Sequence, residues 1–156
     1  MPRVETKTKI RLGAERSCGR CGHRIEPGEK YRQWSFRYGG TQYRCMKHEC
    51  RPRPSDLTQS KMAAVYSAQE EFEDNLESID TIEALEEAVD QVVTTVQEVK
   101  DEYEEAAEPF GYQGENQERA DELDSWISDL ETIEYDEDDL ERSKEDAQGT
   151  VDSCPL

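Results

Sequence analysis

Four cysteines fall within 33 residues of one another, as Cys18-x2-Cys21 and Cys45-x4-Cys50 with His48 between the last two. They lie in a chain with 33% hydrophobic and 37% charged residues, which cannot bury a large apolar core along its whole length. A small segment with so few apolar residues needs a staple, and thiolates gathered around a metal ion provide one. Zinc takes four soft or borderline ligands in a tetrahedron, and two thiolates separated by two residues on a Gly-rich knuckle supply half of it with little strain. The spacing predicts one structural zinc held by Cys18, Cys21, Cys45 and Cys50. His48, with the same two-residue offset from Cys45 as the knuckle pair, is the alternative ligand for the second half. An iron-sulfur cluster on the same thiols ranks below zinc. His23, just beyond the knuckle glycine, is read as solvated.

The charge is split along the chain. Residues 1–61 carry 15 Lys plus Arg against 6 Asp plus Glu, and residues 62–156 carry 4 against 32, so a net charge near +9 precedes one near −28. No stretch reaches the roughly 20 apolar residues of a membrane span, and the opening Met1-Pro2-Arg3-Val4-Glu5 lacks a secretory apolar segment. A cytoplasmic protein is expected, with the host cytoplasm as its place if it is phage-encoded. In a reducing compartment clustered cysteines serve metals rather than disulfides. Cys154, far from the cluster, is expected to be a thiol outside the site.

The fold expected is small α+β: a zinc-stapled β-hairpin of zinc-knuckle or treble-clef-like form, followed by an acidic helical hairpin or coiled-coil region. Lys7 to Leu12 alternates basic with apolar residues or Thr, as a short strand or arm would. Lys30 to Tyr38 and Thr41 to Cys45 read as two strands joined by a two-residue Gly39-Gly40 turn. Arg51-Pro52-Arg53-Pro54 breaks the helical pattern, because each proline keeps its predecessor out of the α region. The basic module is therefore placed at 1–55. Ser55 or Asp56 can cap the first of three helices, expected at about 56–79, 81–108 and 116–133 within an acidic region 56–134. Met62, Val65, Phe72, Leu76 and Ile79 stripe the first, with Gln69 in the one polar slot. Ile82, Leu85, Val89, Val92, Val96, Val99, Tyr103 and Ala106 form the seam of the second, and Asp80 with Glu83 suggests a capping box at its start. Asn116 is the expected cap of the third, whose Leu123, Trp126, Ile127, Leu130 and Ile133 should pack on that seam. Residues 135–156 are read as an acidic, flexible tail.

Tyr31, Trp34, Phe36, Tyr38 and Tyr43 alternate with Arg32, Arg37 and Arg44, and serve either as core around the metal or as a platform for stacking bases. Core packing is the favoured use, because the module has few other apolar residues. Arg32, Trp34, Arg37, Arg44, Arg51 and Arg53 are the candidate nucleic-acid contacts. The segment from about residue 7 to 55, with Arg16-x-Cys18-x-x-Cys21, Ile25-x-x-Gly28-Glu29 and an aromatic hairpin ending in a His and Cys region, resembles a zinc finger of the poly(ADP-ribose) polymerase type. That resemblance implies Cys18 and Cys21 as ligands and recognition of DNA ends and breaks. The family closes its site with His-x2-Cys, whereas here the order is Cys45-x2-His48-x-Cys50. The finger followed by acidic helices also resembles small uncharacterised proteins of tailed bacteriophages.

No P-loop, Gly-x-Ser-x-Gly or His-Glu-x-x-His pattern is present, and four protein ligands would leave zinc no open position for a catalytic water. A non-enzymatic nucleic-acid-binding protein is expected, with the acidic helices modulating the basic finger. The alternative is an interaction protein whose acidic helices mimic DNA toward a host protein partner, or whose seam forms a coiled-coil dimer rather than a monomer.

Overall fold

In the computed structural model, residues 2–8, 15–37 and 39–155 are described. The chain divides into two compact units, Met1–Thr58 and Gln59–Leu156. The architecture is small α+β, a three-stranded antiparallel sheet in the first unit and helices in the second.

The sheet of the first unit consists of β1 (Glu5–Lys7), β2 (Tyr31–Ser35) and β3 (Thr41–Cys45), in that order across the sheet. Expected strand residues 9–12 and the aromatic Tyr38 lie outside the described residues. β2 and β3 pair from Tyr31↔Cys45 to Ser35↔Thr41. The connection is therefore residues 36–40 and not the two-residue Gly39-Gly40 turn, since Phe36 has already left the ladder. Strand alternation puts Tyr31, Tyr43 and Cys45 on one face and Arg32, Trp34 and Arg44 on the other.

Each face carries an arginine against aromatics. Arg16 lies 4.9 Å from the Tyr43 ring centre and 5.5 Å from that of Tyr31, while Arg44 lies 5.2 Å from the Trp34 ring. Tyr31 and Trp34 are 1% and 2% exposed, so the expected use of the hairpin aromatics as core holds for these two.

Helices α1 (Met62–Leu76), α2 (Ile82–Ala107), α3 (Glu115–Glu131) and α4 (Leu140–Asp152) form the second unit. The first begins later than expected. Pro54–Leu57 is a separate 3-10 turn, with Asp56 accepting from the Arg53 N–H, and Thr58 is extended. α1 and α2 are separate helices, and the cap between them is Thr81, whose hydroxyl accepts from the Ala84 N–H at 3.2 Å. Gly114 occupies the cap position of α3; Asn116 is the second residue of the helix and donates to the Ala106 carbonyl.

The α2 seam is buried against α3 as expected: Leu85, Val89, Val92, Val96, Val99 and Tyr103 share one core with Leu123, Trp126, Ile127 and Leu130. At its end Ala107 is fully buried while Ala106 is half-exposed. Lys100, one of the few cations here, reaches Asp124 at 2.8 Å and so ties α2 to α3.

The segment expected to be a flexible tail contains α4. Asp139 caps it by accepting from the Arg142 N–H, and Ser143, Ala147 and Val151, four residues apart, bury one stripe. Its last carbonyls have no partners within the helix. Gln69 donates to Val151 O at 2.6 Å and the Trp126 indole to Thr150 O at 2.9 Å. The polar slot in the α1 stripe is thereby explained: Gln69 caps a helix that is remote in sequence.

Candidate metal centre and its basic surroundings

A tight knuckle presents Cys18 and Cys21. The Cys18 N–H donates to His23 O at 2.8 Å, the Gly22 N–H donates to Cys18 O at 2.9 Å, and Gly22 takes φ +70°, a region open to glycine. A Ser17↔Arg24 bridge and a bond from the Ile25 N–H to Arg16 O close its base. The Gly19 N–H then donates to Tyr43 O, which docks the knuckle on β3. Cys45 ends that strand and Cys50 ends a 3-10 turn over His48–Cys50.

The four sulfurs of Cys18, Cys21, Cys45 and Cys50 all lie within 4.8 Å of one another, and Cys21 Sγ is 3.7 Å from Cys45 Sγ. A tetrahedral zinc with bonds of about 2.3 Å requires sulfurs about 3.8 Å apart. The donor set and its spacing therefore fit one metal ion, and these four residues can hold it. His48 is exposed and outside the cluster, so it does not join these ligands, and His23 Nε2 is taken by Glu29 at 2.9 Å.

The thiols are not alike. Burial by itself raises Cys18, but hydrogen bonds from the backbone of Cys21, Cys45 and Arg20 outweigh it and bring the thiol down to about 6. Burial pushes Cys50 up to about 12, helped by the neighbouring thiols, and raises Cys45 too. One thiolate is thus stabilised by the fold alone, and gathering the other charges requires a cation.

A polar hub that the sequence reading missed braces this centre. Asp56 accepts from Arg44 at 2.8 Å through Oδ1, and from Arg20 and the Arg53 N–H at 3.0 Å each through Oδ2. Its backbone carbonyl accepts from the Trp34 indole at 3.1 Å. Arg20 also donates to Glu49 O at 3.1 Å and Arg51 O at 3.3 Å, binding the ligand-bearing turn to the knuckle. The available signal was the placement of Arg20 and Arg44 beside ligands and of Asp56 just past the Arg-Pro repeat. The sequence reading assigned Asp56 to a helix cap instead.

The expected nucleic-acid contacts separate into two groups. Trp34 is 2% exposed and Arg44 is 8% exposed, so neither presents a face to a base or a phosphate; both are core, as Arg44 packs on Trp34 and pairs with Asp56. Arg32 is half-buried and spends its guanidinium on the carbonyls of Cys45, Met46 and Lys47, at 2.8, 3.5 and 3.3 Å. Arg37 and Arg51 are exposed and Arg53 is half-buried.

No family model, curated protein or solved structure matches this chain. No helix among the described residues is long and apolar enough to cross a membrane.

Proposed function

We propose that this chain is a zinc-binding, non-enzymatic nucleic-acid-binding protein of the cytoplasm. Its basic unit, a treble-clef-like finger on Cys18, Cys21, Cys45 and Cys50, contacts DNA or RNA, and its acidic helical hairpin moderates that contact. The observation that carries the reading is the match between charge and architecture. The excess of cations ends near residue 61, and the compact units part between Thr58 and Gln59. A folded module, not a diffuse tail, thus carries the charge that would release counterions from phosphate. Four thiolates around one zinc contribute −2, which lowers the net charge of this module from about +8 to about +6 and leaves it strongly basic.

Exposed Arg24, Lys30, Arg37, Lys47 and Arg51 are the contacts this reading uses, and the buried Trp34 and Arg44 hold the scaffold. The test is salt-dependent binding of the zinc-loaded full chain to short duplexes and single strands, repeated after Lys30, Arg37 and Lys47 are each changed to Glu. Affinity should fall with salt, and each reversal should lower the slope by about one. If no nucleic acid binds at low salt, the reading fails and the acidic helices become the functional surface toward a basic protein.

A further inference from the structure

The second unit buries its large apolar side chains except at one end. Phe110 and Tyr112, 71% and 56% exposed, are its large exposed hydrophobic residues among the described ones, and both lie in the connection from α2 to α3. Scattered single hydrophobics on a surface need no explanation, but two neighbouring aromatics on one short loop do. The turn itself does not require them. The Gly111 N–H donates to Glu108 O at 3.0 Å and the Tyr112 N–H to Ala107 O at 3.1 Å, the pair of bonds that closes a helix on a left-handed glycine, and Gly111 has φ +69°. The residue after such a glycine commonly packs back on the helix it closes. Tyr112 instead stays more than half exposed, and it takes φ +56°, the one positive φ at a non-glycine residue among the described residues. A bulky side chain is strained there, and glycine would fill the position without that strain. Strain of this kind gathers where a side chain is held out for contact.

The flanking charges decide what the contact is. Glu108 and Glu115 bracket the loop, Glu105 and Glu118 stand one turn to either side of them, and all four are exposed. Among the described residues Glu115 alone of the four pairs with a cation, Arg119 at 2.8 Å. Four carboxylates against one guanidinium leave a charge of about −3 beside the aromatics, which repels phosphate and anionic lipid and attracts cations. An aromatic face attracts them as well. Arg119 shows how a cation uses both at this end of the unit: its guanidinium lies 5.9 Å from the Tyr103 ring centre while it pairs with Glu115. Arginine suits such a surface better than lysine, because its plane stacks on a ring while its edge forks onto a carboxylate.

We infer that the loop carrying Phe110 and Tyr112, flanked by Glu105, Glu108, Glu115 and Glu118, is a docking site for an arginine-rich segment of a protein partner. Phe110 and Tyr112 supply the stacking faces, and the carboxylates supply the charge. This role is independent of nucleic-acid binding by the basic unit.

The isotopically labelled full chain should be titrated at constant ionic strength with a short Arg-Gly repeat peptide and with its Lys-Gly counterpart of equal charge. The Arg peptide should shift the amides of residues 110–113 and bind about tenfold tighter than the Lys peptide. Phe110→Ser with Tyr112→Gly should remove that preference without lowering the melting temperature, since glycine relieves the positive φ at 112. Glu105→Gln with Glu108→Gln, which leaves the aromatics in place, should weaken the Arg peptide severalfold, whereas Glu137→Gln with Asp138→Asn, the same loss of charge just before α4, should leave the shifts at 110–113 intact. If the two peptides bind alike, if neither shifts these amides, or if the Phe110→Ser, Tyr112→Gly protein keeps the preference, the inference is overturned. Shifts at 110–113 caused by a short DNA strand or by vesicles of anionic lipid, and not by the Arg peptide, would overturn it in favour of another ligand. Nucleic-acid binding by the basic unit is read from the amides of that unit, so the two proposals fail separately.

Discussion

Replacing Asp56 by Ala should weaken metal binding more than a hundredfold although Asp56 touches no ligand sulfur. The carboxylate serves two guanidinium groups, and Arg44 is the consequential one: its side chain is 9% exposed, against 29% for Arg20. Truncating one partner of a buried pair leaves an uncompensated charge, at a cost of about 3–5 kcal/mol. The lower end applies here, because Arg20 can turn to water and Asp56 itself is 15% exposed. About 3 kcal/mol corresponds to a factor of about 150, and in a module whose folding is coupled to metal binding the loss appears in metal affinity. Competition against a chromophoric zinc chelator, run on the full chain, measures it directly. Changing Arg44 to Met in the Asp56→Ala background should recover much of the loss, because the stranded charge goes with its partner. An Asp56→Ala protein with unchanged zinc affinity would refute the hub's role. A double variant as weak as the single one would refute its electrostatic explanation.

Two further outcomes follow from the same structure. Metal affinity should fall by at least about a hundredfold per pH unit between pH 9 and pH 6, because Cys45 and Cys50, raised by burial, each take back a proton when the metal leaves. Below about pH 6 the slope should steepen as Cys18 joins them. The sign for Cys18 is that of a depressed group: its thiolate stabilises the fold fully above its ordinary value of 9.0, and that contribution is lost as pH falls through about 6. Chelator competition across this range checks both, and a slope of one proton or fewer would contradict them. In the second unit, Val151→Asp should lower stability by about 3 kcal/mol or more, because it buries a charge where Val151 is 0% exposed. Thermal melting followed by circular dichroism reads the loss, and an unchanged melting temperature would mean that α4 is not packed.

The main stripes of the helical unit were legible because they repeat: the valines of α2 and the Leu123, Trp126, Ile127 and Leu130 face need only periodicity to be found. α4 was hidden by its acidic surroundings and by the small size of what it buries, since Ser143 and Ala147 give little hydrophobic signal at their four-residue spacing. Asp139 as a cap and Val151 on the same stripe were the available cues. In the basic unit spacing marked the knuckle and favoured the four sulfurs but left His48 open as the alternative to one of them, because Cys45 has both within reach in sequence; the structure gathers the four sulfurs. The fates of Trp34, Arg32 and Arg44 did not follow from spacing, because alternation assigns a side chain to a face of the sheet without saying what covers that face. Both faces are covered here, one beside Arg16 and the other by the Asp56 hub. An arginine next to a metal knuckle thus reads identically whether it binds phosphate or braces the fold.

Zinc K-edge absorption on the purified full chain, with elemental analysis of the same sample, tests the central claim most directly. One zinc per chain with four sulfur neighbours at about 2.3 Å is the result expected of Cys18, Cys21, Cys45 and Cys50. A shell containing nitrogen at about 2.0 Å, iron in place of zinc, or no metal at all would contradict it.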